Sequence, residues 1–145
     1  MNVTIITNHL HLDLYGLSGI AVNKDYVGMA FKLSGNMWQI VKSNNIKNKG
    51  MNVWVYEPND SVFAGVELAE TPQQNNGLEH KRITLTKYAY YKHTGPYQLI
   101  KQAGLNMTAE LRAQGFETIS PYIEIYGHWS SDESKLETEL FMNLK

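Results

Sequence analysis

Two stretches of this chain repeat one another, and the repeat limits the fold more than any other feature. Val53-Trp54-Val55-Tyr56 and Ile123-Glu124-Ile125-Tyr126 have the same alternation of β-branched with aromatic or acidic side chains. Each follows a segment of helical period and precedes an Asp-containing turn. Ala30, Leu33, Met37 and Val41 share one helical face within about Asp25–Asn45, and Leu99, Ile100, Ala103, Met107 and Leu111 do so in the second half. An internal duplication explains these matches better than coincidence, and it confines the chain to folds built from two like units.

Each unit reads as strand, helix, strand, strand. In the first, LYGLSGIAV (14–22) supplies a strand, then come the helix, MNVWVYE, a turn at Pro58-Asn59-Asp60 and VFAGVEL. Gly28 and Gly35 within the helix each cost about 1 kcal/mol against alanine, which leaves its ends open. In the second unit, ITLTKYAYYK (83–92) reads as one strand, rich in β-branched and aromatic residues. His93-Thr94-Gly95-Pro96-Tyr97 turns into the helix, with Thr94 or Gly95 near the N-cap and Pro96 in the first turn, where no amide donor is needed. Gly115 stands where a C′ residue is expected. PYIEIYGHW, a turn at 130–133 and LETELFMNL complete the unit. The polar stretch Thr71–Arg82 reads as a surface connection. The expected fold is therefore α+β: an antiparallel sheet with two main helices in one domain, module 1 at about 1–70, the connection at 71–82 and module 2 at about 83–145.

Strand alternation then assigns faces. Ile123 and Ile125 point to the core, and Tyr122, Glu124 and Tyr126 point the other way. On the equivalent strand Val53 and Val55 point inward, and Trp54 and Tyr56 outward. If both strands run through the centre of one sheet, pseudo-symmetry sets Trp54 against Glu124, with Tyr56, Tyr122 and Tyr126 beside them. A wet sheet face would explain a Glu among tyrosines without any function. Against that, rings clustered on such a face expose apolar area of the kind that marks a site. The chain has nine Tyr against four Phe, and tyrosine suits surfaces half apolar and half wet. A partly desolvated carboxylate among rings selects a flat, lipophilic cation.

YAYYKHTGPYQLI (88–100), PYIEIYGHW (121–129) and the acidic, alternating ESKLETELFMNL together resemble the GyrI-like small-molecule-binding superfamily, chiefly over residues 83–145. Its members are the effector-binding domains of AraC-type and MerR-type multidrug regulators, and stand-alone proteins such as the DNA gyrase inhibitory protein. The resemblance implies two strand-helix-strand-strand (SHS2) modules about a pseudo-two-fold axis, with an aromatic-lined cleft between them that binds lipophilic cations through an acidic residue. Glu124 matches that acidic position, and Trp54 and Tyr126 match wall positions. Tyr56 and Tyr122 join them as ligand-binding candidates. Some stand-alone members resemble hydrolases that open the cyclopropane ring of DNA-alkylating natural products. In those a Trp and a Glu act together, and Trp54 and Glu124 would be the catalytic residues. An interaction protein of the gyrase-inhibitor type is the third alternative.

Regulators of this kind carry a helix-turn-helix domain on the same chain, and 145 residues are filled by the effector module. The expectation is a stand-alone binding domain, a partner-binding protein or a small hydrolase, and not a direct transcription factor. A net charge of −1 gives no basic footprint for nucleic acid, so contact with DNA would come through a protein partner such as a regulator or gyrase. No secretory n-region opens the sequence and no long apolar run crosses it, which points to a cytoplasmic protein that does not engage a membrane. The chain has no cysteine, and no cofactor or metal is expected. His9, His11 and Asp13 fall on one strand face at zinc-compatible spacing, but a polar edge strand explains them equally well. His93 reads as a hydrogen-bonding turn residue before it reads as a general base, and His128 either lines a cleft mouth or occupies a loop. Gly16-Leu17-Ser18-Gly19 is not a nucleophile elbow, and neither phosphate-binding glycine motif occurs.

Overall fold

In the computed structural model, which describes residues 1–72 and 76–145, the chain runs β1 (Thr4–Ile6), β2 (Leu10–Ile20), α1 (Tyr26–Ser43), β3 (Val53–Glu57), β4 (Ser61–Glu67), β5 (Glu79–Leu85), β6 (Tyr88–Thr94), α2 (Ile100–Ala113), β7 (Thr118–Tyr126) and β8 (Glu137–Leu144). All eight strands form one antiparallel sheet in the order β1-β6-β8-β7-β3-β4-β2-β5. The expected α+β architecture is present, with β2-α1-β3-β4 and β6-α2-β7-β8 joined where β3 pairs with β7.

The duplication extends beyond the four residues that disclosed it. Ala30, Leu33, Met37 and Val41 are buried on α1, and Ile100, Ala103, Met107 and Leu111 are buried on α2. Position numbers differ by 70 throughout, as in 37 against 107 and 54 against 124. The α1 stripe packs on Val62, Ala64 and Val66 of β4, and the α2 stripe on Ala89 of β6 and Leu140, Met142 and Leu144 of β8. Asp25 caps α1 by accepting the Gly28 amide at 3.0 Å, and Gly115 takes the left-handed conformation just past α2 (φ 85°).

The connections force the sheet to roll. In a flat sheet β1 and β2 would stand six strand spacings apart, about 29 Å. Only Thr7, Asn8 and His9 join them, a link that spans at most about 14 Å. Thr86 and Lys87 link β5 to β6 across the same gap. Rolling brings the edges together and encloses the face that carries no helix. There Leu12, Leu14, Val53, Val55, Phe63, Ile83, Leu85, Tyr88, Ile123, Ile125 and Phe141 form one buried cluster. Both helices lie on the outer, convex face.

Three local expectations are corrected. Residues 83–92 are not one strand: β5 ends at Leu85 and lies beside β2, whereas β6 starts at Tyr88 and lies between β1 and β8. A run of β-branched and aromatic residues has high strand propensity throughout, and no Gly, Pro or Asn marks the break. Within the polar stretch expected as a connection, Glu79–Leu85 begins a strand at Glu79, and Gln73, Gln74 and Asn75 lie outside the described residues. Pro96 is not in the first helical turn. It precedes a 3₁₀ turn at Tyr97–Leu99, whose shorter period takes Leu99 out of the buried stripe to 53% exposure.

Candidate functional site

The helices cover the flanks of the outer face and leave its centre, β3 and β7, open between them. Strand alternation puts Trp54, Tyr56, Tyr122, Glu124 and Tyr126 there. Trp54 pairs directly with Glu124 across the seam, and Tyr56 with Tyr122. All five candidate site residues line one cleft of about 1190 Å³ between α1 and α2. Trp54 and Glu124 form its floor, at 6% and 7% exposure.

Glu124 is held by three phenols. Tyr126 donates to Oε1 at 2.6 Å and Tyr122 to Oε2 at 2.7 Å, with a longer contact of 3.4 Å from Tyr56 to Oε1. Burial, then the charge of Glu124 and the hydrogen bonds to it, push all three phenols well above their usual range. They remain donors at any ordinary pH and fix the carboxylate in place. Trp54 lies against Tyr126 at a centroid distance of 4.7 Å and meets Phe31 edge to face at 5.1 Å. Tyr97 closes on Tyr126 at 5.6 Å, and Tyr56 stacks on Tyr122 at 5.8 Å. The Trp54 Nε1–H is buried with no hydrogen-bond partner.

The two halves treat equivalent positions differently. Asn52, the counterpart of Tyr122, accepts from Ser34 Oγ at 3.0 Å and from the Trp38 indole, so α1 ties it down. In the other half Gly104 replaces Ser34, and a Cβ built there would sit 3.7 Å from the Tyr122 hydroxyl. That is an ordinary contact distance, but α2 offers no serine hydroxyl at this position, and the Tyr122 phenol donates to Glu124.

Apart from His128, the rim was not anticipated. Among the described residues, six of the ten exposed large apolar side chains line this cleft: Val27, Phe31, Tyr97, Leu105, Ile119 and Trp129. Val27 and Phe31 stand four apart on α1, away from its buried stripe, which is the signal that could have revealed them. Tyr26 also lines the cleft; its phenol donates to Asp60 at 2.6 Å, a bond that raises it above its usual range.

Of the remaining histidine candidates, His9, His11 and His93 lie apart from the cleft. His11 Nδ1 meets Thr84 Oγ1 at 3.1 Å, Asp13 pairs with His80, and among the described residues no cluster of three or more potential ligands is arranged for a metal ion. His93 is buried with Nε2 at 3.1 Å from the Pro96 carbonyl oxygen, while His128 lines the cleft. Among the described residues no helix is long and apolar enough to cross a membrane.

No family model matches this chain, and no curated protein matches it in sequence. Solved structures do match in shape. SAV2435 bound to tetraphenylphosphonium superimposes with a TM-score of 0.69 at 17% identity, over 100% of this chain and 94% of that one. The C-terminal domain of EcmrR gives 0.74 at 12% identity, over 100% and 99%. A hydrolase from Listeria innocua gives 0.59 at 11%, over 99% and 91%. At these identities the likeness establishes the fold, which is the one implied by the resemblance to the GyrI-like superfamily.

Proposed function

We propose that this protein binds lipophilic, cationic small molecules in the cleft between α1 and α2. The observation that carries the reading is Glu124, a buried carboxylate fixed by three phenols on the floor of an aromatic cleft. Removing such a group from water is costly unless something compensates it. The phenols supply hydrogen bonds but no positive charge, so a cation entering the cleft meets a preorganised counter-charge. Each ring it contacts adds about 0.5–2 kcal/mol. The apolar rim receives the body of the ligand, as a mostly apolar pocket with a few convergent polar groups does in general. SAV2435, which shares the fold, is described as bound to tetraphenylphosphonium, a cation of this class. Titration with tetraphenylphosphonium followed by calorimetry should give saturable binding at one site in the outer cleft. An absence of saturable heat at millimolar ligand would overturn the proposal.

The facing of Trp54 and Glu124 also bears on hydrolysis of a strained ring, and one matching fold is described as a hydrolase. Binding is the better reading because both carboxylate oxygens already accept phenol protons, an arrangement suited to a fixed charge more than to a base that takes a proton from water. Incubation with a cyclopropane-bearing alkylator should therefore leave the ring intact by mass spectrometry. Catalytic ring opening would favour the hydrolase.

A further inference from the structure

The rolled sheet has a second opening, on the side away from the helices. A cavity of about 390 Å³ enters the buried inner face there. Its walls include Ile6 and Leu10, which flank the short link between the sheet edges, and its floor includes Val53 and Ile125, paired in register. Phe141 lines it together with Tyr88 and Tyr90, at centroid distances of 5.9 and 5.3 Å.

The charges at this mouth do not balance. Lys49 lies 3.0 Å from Glu67, and nearby Lys92 pairs with Glu137. Glu139 lines the cavity and accepts the Tyr90 phenol at 2.6 Å; its cross-strand neighbour Lys92 is ion-paired to Glu137, so one lysine serves two carboxylates there. The Tyr90 phenol is raised above its usual range, by burial first and by its bond to Glu139 second. This half-buried corner therefore carries two carboxylates to one lysine, an excess of one negative charge beside aromatic walls. At 390 Å³ against 1190 Å³ for the outer cleft, it holds about a third as much.

We propose that the mouth of the rolled sheet is a second binding site, separate from the outer cleft, for a small aryl-alkyl ammonium: one ring system on Phe141 and its amine at Glu139. Barrel mouths lined in this way are recurrent ligand sites. An occupant would rest on Val53 and Ile125, the immediate neighbours of Trp54 and Glu124 on the same strands, one sheet thickness behind the outer floor. The two sites would thus share a wall.

Methyl NMR of the full chain tests this, with tryptamine as probe and tryptophol as its neutral analogue. Tryptamine should move the Ile125 and Met51 methyl signals saturably, and tryptophol should bind about tenfold more weakly, the size of one charge-assisted contact. Glu139→Gln should bring the two ligands within about twofold of each other. Met51→Trp, or Ile6→Trp if the first variant folds poorly, should abolish both responses and leave the tetraphenylphosphonium titration unchanged. The site is refuted if saturable shifts are absent, if they are confined to outer-cleft signals such as Ile119, if both probes bind equally to the wild type, or if the filling variants have no effect.

Discussion

Replacing Glu124 by glutamine removes one charge and keeps the shape, so it isolates the electrostatic share of binding. A bulky cation held outside the phenol shell would sit about 5 Å from the carboxylate. At an effective dielectric constant of about 20 the attraction there is about 3 kcal/mol, and the open side of the cleft reduces it toward about 1.5. The expected loss for tetraphenylphosphonium is therefore about 10- to 150-fold in Kd. Tetraphenylborate has the same size and shape with the opposite charge, so it should bind Glu124→Gln more tightly than the wild type. Calorimetric titration of both ions into both proteins reads the effect as a difference of differences in which packing cancels. The amide can no longer accept from all three phenols, so a melting curve must accompany the titration; losing one such buried bond costs about 1–3 kcal/mol of stability. If both ions weaken equally, the substitution acted through packing, and the counter-charge argument is wrong.

Three further expectations follow from the same geometry. Phe31→Ala should weaken tetraphenylphosphonium binding by about 0.5–2 kcal/mol while changing stability by less than about 0.5, because the ring contacts Trp54 yet is 64% exposed. Equal losses in binding and in denaturant midpoint would mean that the ring belongs to the core. The raised phenols of Tyr56, Tyr122 and Tyr126 hold their protons in the folded state above the unfolded value near 10. Their stabilising contribution is complete below pH 10 and declines as pH rises beyond it. An ultraviolet titration of the folded protein should leave these three tyrosines un-ionised until the chain unfolds; smooth ionisation of all nine in the folded state would contradict their burial. Asp25→Ala should cost about 1 kcal/mol in urea unfolding through loss of the α1 cap, and an unchanged midpoint would show that the Gly28 amide finds another acceptor.

The centre of this molecule was legible in its sequence and the edges were not. Periodicity assigned Trp54 and Glu124 to one face and the repeat made them equivalent, so their facing followed once both strands were set at the centre of one sheet, as the pairing of β3 with β7 has them. The partner of an edge strand has no comparable local signature. Thr4–Ile6 is only three residues long, and nothing in residues 79–85 specifies a place beside β2. Rim residues escaped for a different reason. Val27 and Phe31 look like scattered surface apolar residues until α2 is placed opposite them, and isolated residues of that kind are ordinary. Tyr97 depended on a 3₁₀ turn whose phase the helical period does not encode.

Each half of the chain contributes its first strand to the other: β1 completes the edge beside β6, and β5 completes the edge beside β2. A single half would carry both a donor strand and an open acceptor edge, so two identical halves would assemble as a strand-exchanged pair. Such a pair would place the same residue on both sides of the seam. Two glutamates there would repel across one strand spacing, and two tryptophans would provide no charge. One polypeptide carrying both halves lets the two positions differ, and here one is an indole and the other a carboxylate. The chemical asymmetry of the cleft is thus one that a pair of identical halves could not have.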